Sequence, residues 1–228
     1  MPKKGIQRGK REGRKTRERE TQPNAFLIVT EGTQTEPNYF GGLRTYINGK
    51  YRARRGIDVR QPSITVEGKG RSTVKLVQEA MRLAAAGNVM YSQVWVVFDR
   101  DEFADFDEAI ALAKENDIHV AWSNQSFEYW ICLHFGYIEA ALGREDWVKK
   151  TSELFVRERI NPKGYGKSDE HIFEIVTTHG SLKKAMENAT RIERRYPENA
   201  PPSQCDPCTK VHRLIHELEP YIPELLEG

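Results

Sequence analysis

The sequence has no apolar run approaching the ~18 residues that a bilayer-spanning helix requires, so no membrane partner is expected. Its N-terminus is basic, without the apolar stretch that follows the basic start of a signal peptide. Cysteine is scarce: Cys132, Cys205 and Cys208 are an odd three, which argues against a disulfide framework and for a reducing cytoplasm. Cys205-x2-Cys208-x3-His212-x3-His216 comes nearest to a zinc site, but the gap from Cys208 to His212 is too short for a finger. Zinc is therefore not expected. Gly68-Lys69-Gly70-Arg71-Ser72-Thr73 likewise lacks the Gly-x4-Gly-Lys-Ser/Thr spacing of an ATP-binding loop. Its amides remain candidates to cradle a phosphate ahead of a helix, although a tight turn explains them as well. No internal repeat is present.

What is present is a polar globular composition, 38% hydrophobic and 30% charged, in a chain long enough for one sizeable core. The net charge of +2 hides a division. Residues 1–23 carry nine Lys and Arg against three Glu, a net +6, which leaves −4 for the remainder. So polar a segment cannot bury a core and is expected to be disordered. It reads either as an arm drawn to phosphates, holding a polyanion near an acidic domain, or as a solubilising extension.

From Ala25 the pattern changes. Ala25–Thr30 is a continuous apolar run, as expected of a strand buried on both faces. Thr35, Glu36 and Pro37 mark a helix start, and Tyr39, Phe40, Leu43, Tyr46 and Ile47 share one helical stripe. Residues 48–61, basic and poor in apolar groups, read as loop. Ile64–Val66 predicts a second strand, and a helix opens near Ser72 and stops at Gly87-Asn88. Val94–Phe98 is the clearest strand of the chain. A helix over 105–116 and a strand over Ile118–Trp122 complete the alternation of an α/β fold with a parallel sheet. Beyond Ser123 only helices are expected, over Ser126–Phe135 and near 144–158, 168–178, 181–195 and 209–218. The organisation is thus a tail over 1–23, an α/β core over 24–124 and a helical portion over 125–228 packed on it.

Open parallel sheets bind ligands at the carboxyl ends of their strands, and here those ends carry acids. Glu31 closes the first strand; Asp99 and Asp101 close the third. Positions i and i+2 of an extended segment face the same side, so both aspartates can address one ion while Arg100 points elsewhere. Oxygen donors without histidine or thiolate suit Mg²⁺ or Mn²⁺. An ion would also remove the mutual repulsion of gathered carboxylates. Taken alone, Asp-x-Asp also fits a strand end that simply faces water.

Three segments together resemble a known group of proteins. They are Glu31-Gly32-Thr33-Gln34-Thr35-Glu36-Pro37-Asn38-Tyr39-Phe40, then Val94–Asp101, then Ser123-Asn124-Gln125-Ser126-Phe127-Glu128-Tyr129-Trp130. The likeness is to the Toprim fold of topoisomerases, bacterial primases and OLD-family nucleases, and in its wording to the RloB-like proteins found beside restriction and anti-phage loci. Tyr165-x-Lys167 and the helix around Lys184–Ala189 look similar too, so the resemblance covers most of residues 25–218. It implies a four-stranded parallel sheet flanked by helices, a metal held by Glu31, Asp99 and Asp101, and proton transfer by Glu31. Glu36 and Glu128 are the candidates for a second metal position. Glu128 lies in so apolar a segment that its carboxylate needs a partner, though a helix-opening acid near Asn124 or Ser126 explains it too. Lys167, in Lys163-Gly164-Tyr165-Gly166-Lys167, is a candidate to stabilise charge on a scissile phosphate, or a surface lysine of a flexible turn. Lys69, Arg71, Lys163 and Lys167 are the candidate nucleic-acid contacts.

A topoisomerase would need a catalytic tyrosine domain and a primase a zinc-binding domain, so the resemblance leaves hydrolysis. The expected function is a metal-dependent nuclease of DNA or RNA, tRNA included, in bacterial anti-phage defence. With no ATPase segment in the chain, a separate ATPase or defence-system partner is expected to control it. The competing expectation is a non-catalytic nucleic-acid-binding or sensor module that retains the metal site.

Overall fold

The computed structural model describes residues 20–21, 24–53, 61–70, 73–86, 89–100 and 105–227. In chain order the elements are β1 (Glu20–Thr21), β2 (Ala25–Thr30), α1 (Thr35–Ala53), β3 (Ser63–Gly68), α2 (Thr73–Ala86), β4 (Val89–Met90), β5 (Gln93–Asp99) and α3 (Phe106–Glu115). There follow β6 (His119–Asn124), α4 (Phe127–Leu133), α5 (Arg144–Arg157), α6 (Ile172–His179), α7 (Leu182–Glu193), β7 (Cys208–Thr209) and α8 (Val211–Leu218).

Four strands pair in parallel in the order β3-β2-β5-β6. From β2 the chain winds outward to β3, then crosses back to β5 on the other side of β2. The direction of winding reverses between β2 and β5, and at such a switch point a crevice opens over the carboxyl ends of the strands. All of β2 is buried, as is β5 from Trp95 to Asp99, which is why both read as unbroken apolar runs. Phe98 meets Phe106 of α3 edge-on, whereas Asp99, one residue along and so on the opposite face, meets Arg144 of α5. Helices therefore cover both faces.

The structure corrects two expectations. The sheet has a fifth strand, because β7 pairs antiparallel with Ser123 and Asn124, and the Ser123 and Thr209 hydroxyls lie 3.0 Å apart. Two residues carry no readable alternation, so pattern alone misses such a strand. The second correction concerns the segment read as loop over 48–61, since α1 runs on to Ala53. Tyr51 packs against the core, and Lys50 donates to the Tyr221 carbonyl at 3.0 Å and pairs with Glu224. Lys50 and Arg52 also oppose the negative end of the helix dipole. Residues 54–60 and Gly87-Asn88 lie outside the described residues. Of the basic tail only Glu20–Thr21 are described, paired in parallel with Val89–Met90; the rest lies outside. Among the described residues, no helix is long and apolar enough to cross a membrane.

One aromatic cluster ties the helical half to the sheet core. The Tyr39 ring makes edge contacts with Phe40, Phe127, Trp130, His134 and Phe173, all buried. Each such pair adds ~0.5–1.5 kcal/mol beyond the area it buries, and together they lock α1, α4 and the start of α6. His134 belongs to this packing. A carbonyl can only accept, so His134 Nδ1–H donates to the Trp130 oxygen at 3.1 Å, leaving Nε2 to accept from the Tyr39 hydroxyl at 3.3 Å. Burial pulls its pKa down to about 4, so it stays neutral.

Candidate functional site

Over the carboxyl ends of β2 and β5 lies a cavity of about 190 Å³, walled by residues 32–36, Asp99, Phe127, Glu128, Arg144 and Lys167. Three carboxylates in it are nearly withdrawn from water: Glu36 is 8% exposed, Asp99 5% and Glu128 3%. Each arrives by a different local device. Asp99 ends β5, its N–H donating to Glu31 Oε2 at 3.2 Å, so Glu31 braces the strand end from β2. Glu36 sits in the first turn of α1, where the helix dipole favours an acid. Its carboxylate lies directly over Gly32, in space that any Cβ there would fill. Glu128 stands in the first turn of α4 behind the N-cap Ser126, whose Oγ accepts the Glu128 N–H at 3.2 Å and donates to its carboxylate. A cap of this kind contributes ~1 kcal/mol.

The cations come from the helical half. Arg144 Nη2 lies 3.2 Å from Asp99 Oδ2, and Lys167 Nζ lies 3.4 Å from Glu128 Oε1. The Tyr165 hydroxyl donates to the same Glu128 oxygen at 3.3 Å and lies 3.0 Å from Thr35 Oγ1, while Thr35 Oγ1 donates to the Lys167 carbonyl at 2.9 Å. The loop bearing Lys167 is thus pinned to the start of α1. Gly164, at φ +83°, lets it turn there, and Tyr165 N–H donates to Ser152 Oγ of α5.

Burial raises the Asp99 pKa well above the usual carboxylate range, and the charges of Glu36 and Glu128 push it further. Arg144 and the Phe127 N–H pull the other way. Burial likewise raises Glu36, with Glu128 adding to it and Arg144 and Lys167 opposing. Acids in this condition lack positive charge, and a divalent ion is one way to supply it. Among the described residues no three His, Cys, Asp or Glu side chains already stand close enough to share an ion. The donor set still fits a hard cation, because it is all oxygen, buried and mutually repelling.

The other sequence candidates divide. Asp101 and Arg71 lie outside the described residues. Lys69 pairs with Glu67 at 3.0 Å and with Glu79 at 3.9 Å, and neither it nor Lys163 walls the cavity. Two amides flanking Arg71-Ser72 are already spent: Gly70 N–H donates to the Glu31 carbonyl, and Val74 N–H donates to the Asp105 carboxylate. His212 and His216 turn to Glu193 and Glu219, at 2.8 and 3.0 Å.

A family described as RloB-like protein matches residues 26–218 of this chain. The chain belongs to the RloB-like family. No curated protein and no solved structure matches it significantly.

The match spans every wall of the cavity, so the site belongs to the RloB-like region and not to a flanking extension. Three residues of the RloB-like site escaped sequence reasoning: Arg144, Tyr165 as a partner of Glu128, and Thr35 as more than a helix start. Arg144 did leave a signal. It is the first residue of α5, where the positive end of the dipole disfavours a cation, and Glu145 and Asp146 follow it as the acids that position favours.

Proposed function

We propose that this RloB-like chain is a Mg²⁺- or Mn²⁺-dependent nuclease that hydrolyses phosphodiesters of DNA or RNA, tRNA included, in bacterial anti-phage defence. The observation that carries the reading is the convergence of buried Glu36, Asp99 and Glu128 with Arg144 and Lys167 on one cavity at the switch point of the sheet. Burial first, and then neighbouring negative charge, raise the pKa values of Asp99 and Glu36, which invites a cation, and basic groups beside them invite a phosphate.

In this reading Asp99 and Asp101 hold the ion, with Glu36 and Glu128 completing a second position. A bound ion would polarise the phosphate and supply hydroxide at neutral pH. Glu31 handles the proton from its place beneath Asp99. Lys167, with half of its side chain exposed, turns from Glu128 towards the phosphate and offsets the charge gained in the transition state. The basic tail adds unspecific attraction for the polyanion, and a separate ATPase or defence-system partner controls the timing.

The test is incubation of the purified chain with DNA and with total RNA, in EDTA, Mg²⁺ or Mn²⁺. Wild type should cleave one of them only with metal. Glu31→Gln should slow cleavage by about 100-fold or more, the scale of lost acid–base help, while still binding nucleic acid, and Asp99→Asn should lose cleavage together with metal affinity. Cleavage in EDTA, or full activity of Asp99→Asn, sinks the reading. A second reading, a non-catalytic sensor, draws on the two ion pairs that already balance Asp99 and Glu128. Metal-dependent binding without cleavage of any substrate selects it.

A further inference from the structure

Arg144 is an unusual residue to find where it is. Its guanidinium opens α5 against the helix dipole, yet it is spent on Asp99 Oδ2 at 3.2 Å, the carboxylate most in need of positive charge. Asp99 is 6% exposed at its side chain, while Arg144 is 43% exposed, so the pair runs from the floor of the cavity to its mouth. A divalent ion and this guanidinium would draw on the same carboxylate, because Asp99 already accepts from the Phe127 N–H and gives Oδ2 to Arg144. The two cannot both hold Oδ2 at full strength.

Resting on the metal-site reading above, we infer that Arg144 is a cationic placeholder: it neutralises Asp99 when no divalent ion is bound, yields that carboxylate when one binds, and then presents its guanidinium to the substrate phosphate. Metal binding and phosphate binding are thereby coupled through one side chain. The planar fork of arginine suits both partners, since carboxylate and phosphate each accept two parallel N–H bonds. The arrangement keeps the buried acid from standing uncompensated, a condition that strongly destabilises a folded chain. It also delays the phosphate-binding cation until the metal is in place, so nucleic acid is gripped at this point only by a loaded site.

Two measurements on the full chain test this, neither of them a cleavage rate. The first is Mn²⁺ affinity by titration. Losing the competitor, Arg144→Gln should bind Mn²⁺ about ten-fold tighter, equal to ~1.4 kcal/mol, and Arg144→Lys should fall between it and wild type. Lys163→Gln, which removes a charge outside the cavity, sets the background from long-range repulsion alone. The second is nucleic-acid binding in EDTA. Asp99→Asn weakens the hold on Arg144 and should raise affinity over wild type several-fold, and Arg144→Gln in the same chain should abolish that gain. If wild type binds Mn²⁺ and Arg144→Gln binds it no better than Lys163→Gln does, the placeholder is refuted while the metal-site reading stands. If Asp99→Asn shows no gain that depends on Arg144, the phosphate half is refuted. If wild type binds no Mn²⁺ at all, the metal-site reading falls and takes this inference with it.

Discussion

A methyl group at Gly32 would stand 2.0 Å from Glu36 Oε2, 2.5 Å from its Cδ and 2.6 Å from its Oε1. Ordinary contact begins at 3.4 Å, so the nearer oxygen must retreat by at least 1.4 Å. Gly32 is not among the glycines at positive φ, so alanine fits its backbone without strain. What must move is the end of one flexible side chain. Gly32→Ala should therefore leave the fold intact, or stabilise it by the ~0.4–1 kcal/mol that a compatible Gly→Ala change contributes through the unfolded chain. The site should suffer far more, because misplacing a working group by ~1 Å costs about 100-fold in rate. The assay pairs thermal unfolding with single-turnover cleavage in Mn²⁺, on Gly32→Ala, Glu36→Gln and the double variant. The double variant should be no slower than the worse single one, since both changes act on the same carboxylate. Wild-type cleavage by Gly32→Ala would show that Glu36 has no place at the site. A fall in melting temperature of many degrees would show instead that Gly32 serves the fold.

Further outcomes follow from other parts of the molecule. Burial works to raise the Glu193 pKa, but hydrogen bonds from His212, Lys210 and Arg213 prevail and hold it below the usual 4.5. The stability this gives is full above pH 4.5 and drains away as pH falls towards the folded value, so wild type should lose melting temperature in acid more steeply than Glu193→Gln; parallel curves would refute it. Thr35→Val removes the hydroxyl that holds the Lys167 carbonyl at 2.9 Å and should slow cleavage about ten-fold, on the scale of one hydrogen bond. Unchanged Mn²⁺ affinity is expected, and a weaker Kd would place Thr35 with the acids instead. Deleting residues 1–23 removes a net +6 and should flatten the salt dependence of nucleic-acid binding; an unchanged slope leaves the tail a solubility device.

The sheet was readable because β2 and β5 are buried on both faces and so appear as unbroken apolar runs, and the acids at their ends were readable because polar residues there interrupt those runs. Glu128 stood out as a charge in a wholly apolar segment. Its partners did not, since Lys167 and Tyr165 follow at a distance only tertiary packing closes. Arg144 lies 45 residues from Asp99, in a charged helix whose exposed face resembles any other. The end of α1 was misread for a related reason: Lys50 looks solvated until the C-terminal turns bring Tyr221 and Glu224 to it. Local pattern reports burial well and reports long-range polar pairing hardly at all.

The division of labour between the two halves has a physical cause. Strand ends supply Glu31 and Asp99 and the first turn of α1 supplies Glu36, but a buried carboxylate without a partner is too costly to keep. Arg144 of α5 serves Asp99, and Lys167 does the same for Glu128. Arg144 rides on α5, whose Trp147 ring packs against Tyr129 of α4. Tyr39 clamps α4 and α6 onto α1, and Thr35, one turn earlier on α1, fixes the Lys167 loop. The helical half also completes the sheet through β7, while Asn124 at the end of β6 donates to the Cys205 carbonyl at 2.9 Å. Acid burial and helix docking thus depend on each other: the acids reach their low exposure only because the helices cover them, and the helices bring the charge that makes the covering tolerable. A site built this way exists only in the fully packed chain, because its walls come from both halves.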